Sequence, residues 1–164
     1  MKLAKKRNWK MGALGLIMIC ALVVPSSAFA AGKGAQQDTL SADVQIIRAN
    51  SFTTMGAGEW DYLGPRSTVS WENPSNYVKS GGGDFKFKVS YGPSGGAWYQ
   101  LREYDPGNAD DIITDAYGYS YFYLYPGDTL IYRGISGAVD GDNKKAEFYV
   151  REGFSGSATV QYWD

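Results

Sequence analysis

Apolar and polar side chains alternate with a period of two along most of this chain, and each run is cut short by a cluster of turn residues. In "DFKFKVSY", Phe85, Phe87, Val89 and Tyr91 fall on one side and Lys86, Lys88 and Ser90 on the other. Such a stretch buries one face of a strand and wets the other, whereas a helix needs apolar residues every three or four positions. That longer period is absent beyond residue 30. Further alternating runs occur at "DVQIIRA", "STVSW", "AWYQLREY", "TLIYR", "AEFYV" and "SATVQYW", separated by "TTMGAGE", "NPSN", "SGGG", "GPSGG", "YPGD", "SGAVDGDN" and "EGFSG". About eight short strands with regular turns predict an all-β fold: one antiparallel β-sandwich domain of jelly-roll or Greek-key type. In "YPGD", Pro126 and Gly127 suit the centre of a tight turn, expected to close a hairpin between its two flanking strands.

The longest alternation is "YGYSYFYLY", which sets Tyr117, Tyr119, Tyr121, Tyr123 and Tyr125 on one face of a single expected strand. With Phe122 and Leu124 turned to the core, five phenols would face outward. Tyrosine suits such a face because its ring offers apolar area while its hydroxyl stays hydrated. Sugar rings stack on flat aromatic surfaces through their C–H faces, so these five tyrosines are the candidate polysaccharide-binding residues. Trp60, Trp71, Trp98 or Trp163 could extend the platform. An uncovered, charge-free aromatic strand can also stack on its own copies, which makes self-association the structural alternative.

Composition excludes several chemistries. The chain has no histidine, and its one cysteine, Cys20, lies in the N-terminal apolar run. Ser-His-Asp and Cys-His catalysis and the usual zinc sets are therefore closed to it. A carboxylate pair drawn from Glu59, Asp61 and Glu72, near Trp60 and Trp71, is the remaining catalytic option, as in a small glycan-active enzyme. The expectation is a protein without catalysis.

The N-terminus predicts export. Lys2, Lys5, Lys6, Arg7 and Lys10 precede the apolar "MGALGLIMICALVV", and "PSSAFA" ends in small residues at Ala28 and Ala30. This order reads as a secretory signal over residues 1–30, cleaved after Ala30. Its long lysine-rich start resembles those of Gram-positive bacteria. Residues 31–40 read as a flexible leader and 41–164 as the folded domain, with no membrane-crossing segment expected after cleavage. Five of the sixteen basic residues leave with the signal while all seventeen acids stay, so eleven cations face seventeen anions, a net of −6. An acidic chain without a basic block is a poor partner for nucleic acid.

The acids gather in "REYDPGNADDIITD". Glu103, Asp105, Asp110, Asp111 and Asp115 fall around a turn at Pro106, Gly107 and Asn108. Calcium takes six to eight oxygens with tolerant geometry, and so many carboxylates repel one another without a cation. Asp140 and Asp142, in "VDGDNKKAE", could contribute. Glu103-Tyr104-Asp105 followed by Asp111-Ile112-Ile113 resembles the third calcium loop of the C-two family, the calcium-dependent lipid-binding sandwiches. Asp84, in "GGGDFKFKV", with Lys88 and Val89, resembles that family's first loop. The resemblance is local and implies Glu103, Asp105, Asp111 and Asp84 as calcium ligands; with Asp110 from the same stretch and Asp140 and Asp142 they make up the candidate set. It also implies a rival function in lipid binding, with Ile112 and Ile113 as apolar loop tips. The competing reading of the same stretch is an exposed acidic turn.

Overall fold

The computed structural model describes residues 37–51, 60–71, 74–106, 108–140, 143–153 and 155–164. Residues 1–36, expected to hold the signal and most of the leader, and Glu59, Glu72, Gly107 and Asp142 lie outside them. In chain order the strands are β1 (Thr39–Ser41), β2 (Asp43–Ile47), β3 (Tyr62–Ser67), β4 (Val78–Ser80), β5 (Phe85–Tyr91), β6 (Ala97–Glu103), β7 (Asp111–Thr114), β8 (Tyr121–Leu124), β9 (Thr129–Arg133), β10 (Ala146–Glu152) and β11 (Thr159–Trp163). Two short 3-10 turns, Pro74–Asn76 and Ile135–Ala138, are the helical pieces among the described residues. None of the described helices is long and apolar enough to cross a membrane.

The expected all-β class holds, and the strands form two sheets. The first runs β1-β7-β6-β10-β4, with β8 also on β6, and the second runs β2-β9-β5-β11-β3. On one edge of β6, β7 pairs with Arg102 and Glu103 while β8 pairs with Ala97 to Gln100. They make one interrupted strand. Outward and return strands then pair antiparallel as a nested series: β6 with β7 and β8, β5 with β9, β4 with β10, and β3 with β11. That is one long ribbon rolled into a sandwich, the jelly-roll form of the predicted fold. At the N-terminus β1 adds parallel to β7 and β2 antiparallel to β9, so the chain ties one edge of each sheet.

The core lies between the sheets. Phe85, Phe87, Val89, Leu130, Tyr132, Val160 and Tyr162 come from one side, and Tyr99, Leu101, Ile113, Leu124, Phe148 and Val150 from the other, all at most 1% exposed. The Phe85 and Phe148 rings meet across the interface with centroids 4.6 Å apart. The Tyr162 hydroxyl crosses it too, accepting the Val150 N–H at 3.0 Å. Burying an aromatic side chain of this size contributes roughly 2–3 kcal/mol, so no disulfide is needed.

Four local expectations need correction. The strand expected at "STVSW" runs instead through Tyr62–Ser67, with Pro65 inside it. Proline is tolerated there because β3 is an edge strand that pairs with β11 alone, leaving one side of its backbone without a ladder. Thr39 and Leu40, assigned to the leader, already pair in β1. "YPGD" does not close a hairpin: β8 and β9 belong to different sheets, and the turn carries the chain between them. The turn itself is as expected, with the Asp128 N–H on the Tyr125 carbonyl at 3.0 Å and Gly127 at φ +96°. The tyrosine strand is also shorter than the alternation predicted, because β8 begins only at Tyr121.

Candidate functional site

Along β6 the alternation sends Ala97, Tyr99 and Leu101 into the core and Trp98 outward, 50% exposed. The register sets Ala97 opposite Leu124, Trp98 opposite Tyr123, Tyr99 opposite Phe122 and Gln100 opposite Tyr121. Leu124 is fully covered, and Phe122 packs edge-on against Tyr132 at 6.2 Å. Tyr121, Tyr123 and Tyr125 therefore face away from the core, as the sequence predicted for them.

These rings form a contiguous surface. Trp98 meets Tyr123 edge-on at 5.2 Å, and Tyr123 meets Tyr125 edge-on at 5.5 Å. Tyr121 and Tyr125 are exposed and Tyr123 is half-buried, its hydroxyl donating to the Gly95 carbonyl at 2.6 Å. Gly96 makes this possible. It sits at φ +81°, and a Cβ there would come within 2.7 Å of the Tyr123 ring and 3.1 Å of the Tyr125 ring. The Arg48 guanidinium lies 5.9 Å from the Tyr125 ring centre and also bonds Asp128 at 2.6 Å. A polar line borders the rings: Arg102 donates to Gln100 at 2.7 Å, and Gln100 donates to Ser120 at 2.8 Å.

Tyr117 and Tyr119 do not share the strand. They lie in a turn whose organiser is Asp115, with one carboxylate oxygen accepting both the Tyr117 and the Tyr119 N–H at 2.9 Å. Gly118, at φ +85°, donates to the Asp115 carbonyl. Tyr117 and Tyr119 are 87% and 68% exposed. The signal was present in the sequence, since Asp three residues before Gly is turn chemistry and outranks alternation. Of the four tryptophans named, Trp98 joins the platform. Trp60 and Trp163 hold the Lys86 ammonium at 4.1 and 5.1 Å, and Trp163 and Lys86 belong to the other sheet. Trp71 is 69% exposed.

The acids separate into two groups. Asp84 pairs with Arg133 at 2.5 Å and accepts the Gly134 N–H. Asp110 is buried, accepting from the Tyr149 hydroxyl and the Asp105 N–H. Both are thereby committed elsewhere. Glu103 and Asp111 stand opposite each other in the β6–β7 register. Burial, opposed by a hydrogen bond from the Glu147 N–H and reinforced by repulsion from Asp140, Glu147 and Asp111, pushes the Glu103 carboxyl up to about 8. Burial likewise raises Asp111, with Asp38, Asp105 and Asp140 adding to it, and raises Asp140, with Asp105 and Glu147 adding to it. Asp105 also starts a turn, receiving an Asn108 side-chain N–H at 2.9 Å. Among the described residues no three carboxylates stand close enough to hold a metal ion. Asp61 is exposed at the edge of the second sheet, and the other two acids of the catalytic option lie outside the described residues.

No solved structure matches this chain. A family model described as the YndA coiled coil domain matches residues 62–162. That span runs from the start of β3 into β11 and contains no α-helix among the described residues, so the words "coiled coil" do not describe its architecture. A Bacillus subtilis (strain 168) protein named "Uncharacterized protein YndA" is 39% identical over 118 residues, covering 71% of this chain and 83% of the relative. On both grounds the chain belongs to the YndA family.

Proposed function

We infer that this chain is a non-catalytic binding protein that holds an extracellular polysaccharide, of cell wall or matrix, on the ringed outer face of the β6–β8 pair. The observation that carries this reading is the set Trp98, Tyr121 and Tyr125, left exposed around the half-buried Tyr123 while the opposite side of the same strands fills the core. From Tyr121 to Tyr125 the row spans about 13 Å at the rise of a strand, room for a short run of sugar rings. Beneath this border the buried Gln100 and Arg102 are bonded to each other and to Ser120, which holds the Ser120 hydroxyl in place beside the rings. Jelly rolls include lectin domains among many unrelated proteins, so the fold permits this role without arguing for it. The export expected from the N-terminus supplies the compartment. For the lipid-binding rival, Ile113 is fully covered in the core and Ile112 is half-buried in β7, so neither is a loop tip free to enter a bilayer.

The test is retention on insoluble cell-wall and matrix polysaccharides. Trp98→Ala and Tyr121→Ala should each weaken retention about tenfold, equivalent to roughly 1.4 kcal/mol, while both variants stay folded with cooperative melting. Unchanged retention in both variants and in their combination, on every polymer that holds the parent chain, would refute the reading. So would a parent chain that no polymer retains.

A further inference from the structure

Glu103 ends β6 on the core side of the sheet and is 1% exposed. One of its carboxylate oxygens, Oε1, accepts the Glu147 N–H at 3.1 Å. The other, Oε2, is buried without a hydrogen-bond partner. A buried carboxyl oxygen without a partner is costly, and it calls for an explanation, a bound ion among them. What surrounds it is acidic. Asp111 faces it in register, and Asp140 and Glu147 also repel its charge. Glu147 is answered by Lys79 at 3.7 Å and Asn143 at 2.8 Å. Glu103, Asp111 and Asp140 make no ion pair among the described residues.

We propose that Glu103, Asp111 and Asp140, with Asp105 from the adjoining turn, form a binding site for a divalent cation of the calcium class, with Glu103 Oε2 as its buried ligand. The donor set contains only oxygen, which suits a hard cation and excludes a thiolate or imidazole metal. Calcium is favoured over magnesium because the donors come from separate segments. Magnesium demands near-ideal octahedral geometry, whereas calcium accepts irregular carboxylate sets. Since no three carboxylates yet converge, the Asp105 and Asp140 side chains must swing toward Glu103 on binding. The site lies at the end of β6 beyond Arg102, separate from the aromatic platform. Asp84 and Asp110 take no part in it.

The experiment uses the full chain with calcium and terbium ions as probes. Tyr104 adjoins Glu103 and stacks on Tyr77 at 5.6 Å, placing a light-absorbing pair next to the site. Terbium should therefore emit on tyrosine excitation and lose that emission as calcium is added. About 2 mM calcium, a level that fills extracellular sites, should raise the thermal midpoint by several degrees over EDTA, with magnesium giving less. Glu103→Gln should abolish both signals, and Asp84→Asn should keep both. Asp111→Asn, at a half-buried position, should cut calcium affinity at least tenfold and carries the test if Glu103→Gln does not fold. Absence of any calcium shift and of terbium emission in the parent chain would overturn the proposal. So would full survival of both signals in Glu103→Gln or Asp111→Asn.

Discussion

In the absence of metal, Glu103 should make the fold less stable as pH rises, the reverse of the behaviour of most salt-bridged carboxylates. Its folded value, about 8, lies above the ordinary 4.5 it regains on unfolding. Between those values the native state holds a proton that the unfolded chain has released, so stability falls with rising pH. Below the lower value both states are protonated and the effect is absent; above the upper one the loss is complete. Every tenfold difference in proton affinity between the folded and unfolded carboxyl is worth about 1.4 kcal/mol. The rise from 4.5 to about 8 therefore sets a ceiling of roughly 5 kcal/mol, and relaxation of neighbouring acids should bring the realised figure to about half. For a domain of this size that is a fall of about 10 °C in thermal midpoint between about pH 5 and 8. Burial raises Asp111 and Asp140 in the same direction, so the informative quantity is the difference between the parent chain and Glu103→Gln. An amide cannot ionise, and its N–H groups can donate to the surrounding carboxylates. Melting followed by near-ultraviolet circular dichroism in EDTA, at half-unit steps of pH, should give a steep curve for the parent and a shallower one for the variant, diverging toward alkaline pH. Parallel curves would refute the reasoning, because they would mean that the Glu103 carboxyl titrates alike in the folded and unfolded states.

Two further substitutions probe the aromatic face. Gly96→Ala places a methyl group 2.7 Å from the Tyr123 ring at a backbone φ that alanine disfavours, so it should cost about 1–3 kcal/mol in denaturant unfolding and lower tryptophan fluorescence anisotropy as Trp98 loses its neighbour; an unchanged midpoint would contradict this packing. Arg48 donates to the Tyr123 carbonyl at 3.1 Å and to Asp128, shielding the outer edge of β8. Arg48→Ala should therefore shift sedimentation toward larger species as concentration rises, and equal profiles for parent and variant would mean that the edge needs no guard.

The fold was legible because alternation and breakers agree almost everywhere. Phe85, Phe87 and Val89 are core residues by pattern alone, and all three are fully covered. Tyr91 of the same face, by contrast, is 68% exposed at the strand's end, and Lys86 of the other face is buried against Trp60 and Trp163. Misplacements occurred where local chemistry overrode the period. Asp115 and Gly118 bend the chain within an apparently continuous tyrosine alternation, and Pro65 sits in a strand whose free edge forgives it. The short β1, β4 and β7 escaped because three or four residues carry too little periodicity to stand out. Site residues were less legible than strands. Sequence proximity grouped Asp110 with Asp111, yet Asp110 sits just before β7 and bonds Tyr149, while Asp111 opens the strand in register opposite Glu103. The importance of Glu103 is a property of burial, and burial depends on which strands pair. No spacing rule in the acidic stretch distinguishes it from Asp105.

The exposed rings cannot be explained by the needs of the core. Ala97, Tyr99, Phe122 and Leu124 already supply the inward side of β6 and β8, so the outward positions were free to carry threonine, lysine or glutamate, as a solvated sheet face does. Aromatic residues there leave Trp98, Tyr121 and Tyr125 exposed and create a surface prone to aggregation beside a strand edge. The fold nevertheless commits Arg48 to guarding that edge, and it keeps Gly96 in a left-handed backbone so that Tyr123 and Tyr125 can lie close to the chain. Both devices preserve the rings as an open surface instead of covering them. A self-assembling strand would need its edge free, and here Arg48 occupies it. A ligand that stacks on the ring face requires no edge at all, which is why binding on that face accounts for more of the observed geometry than polymerisation through β8.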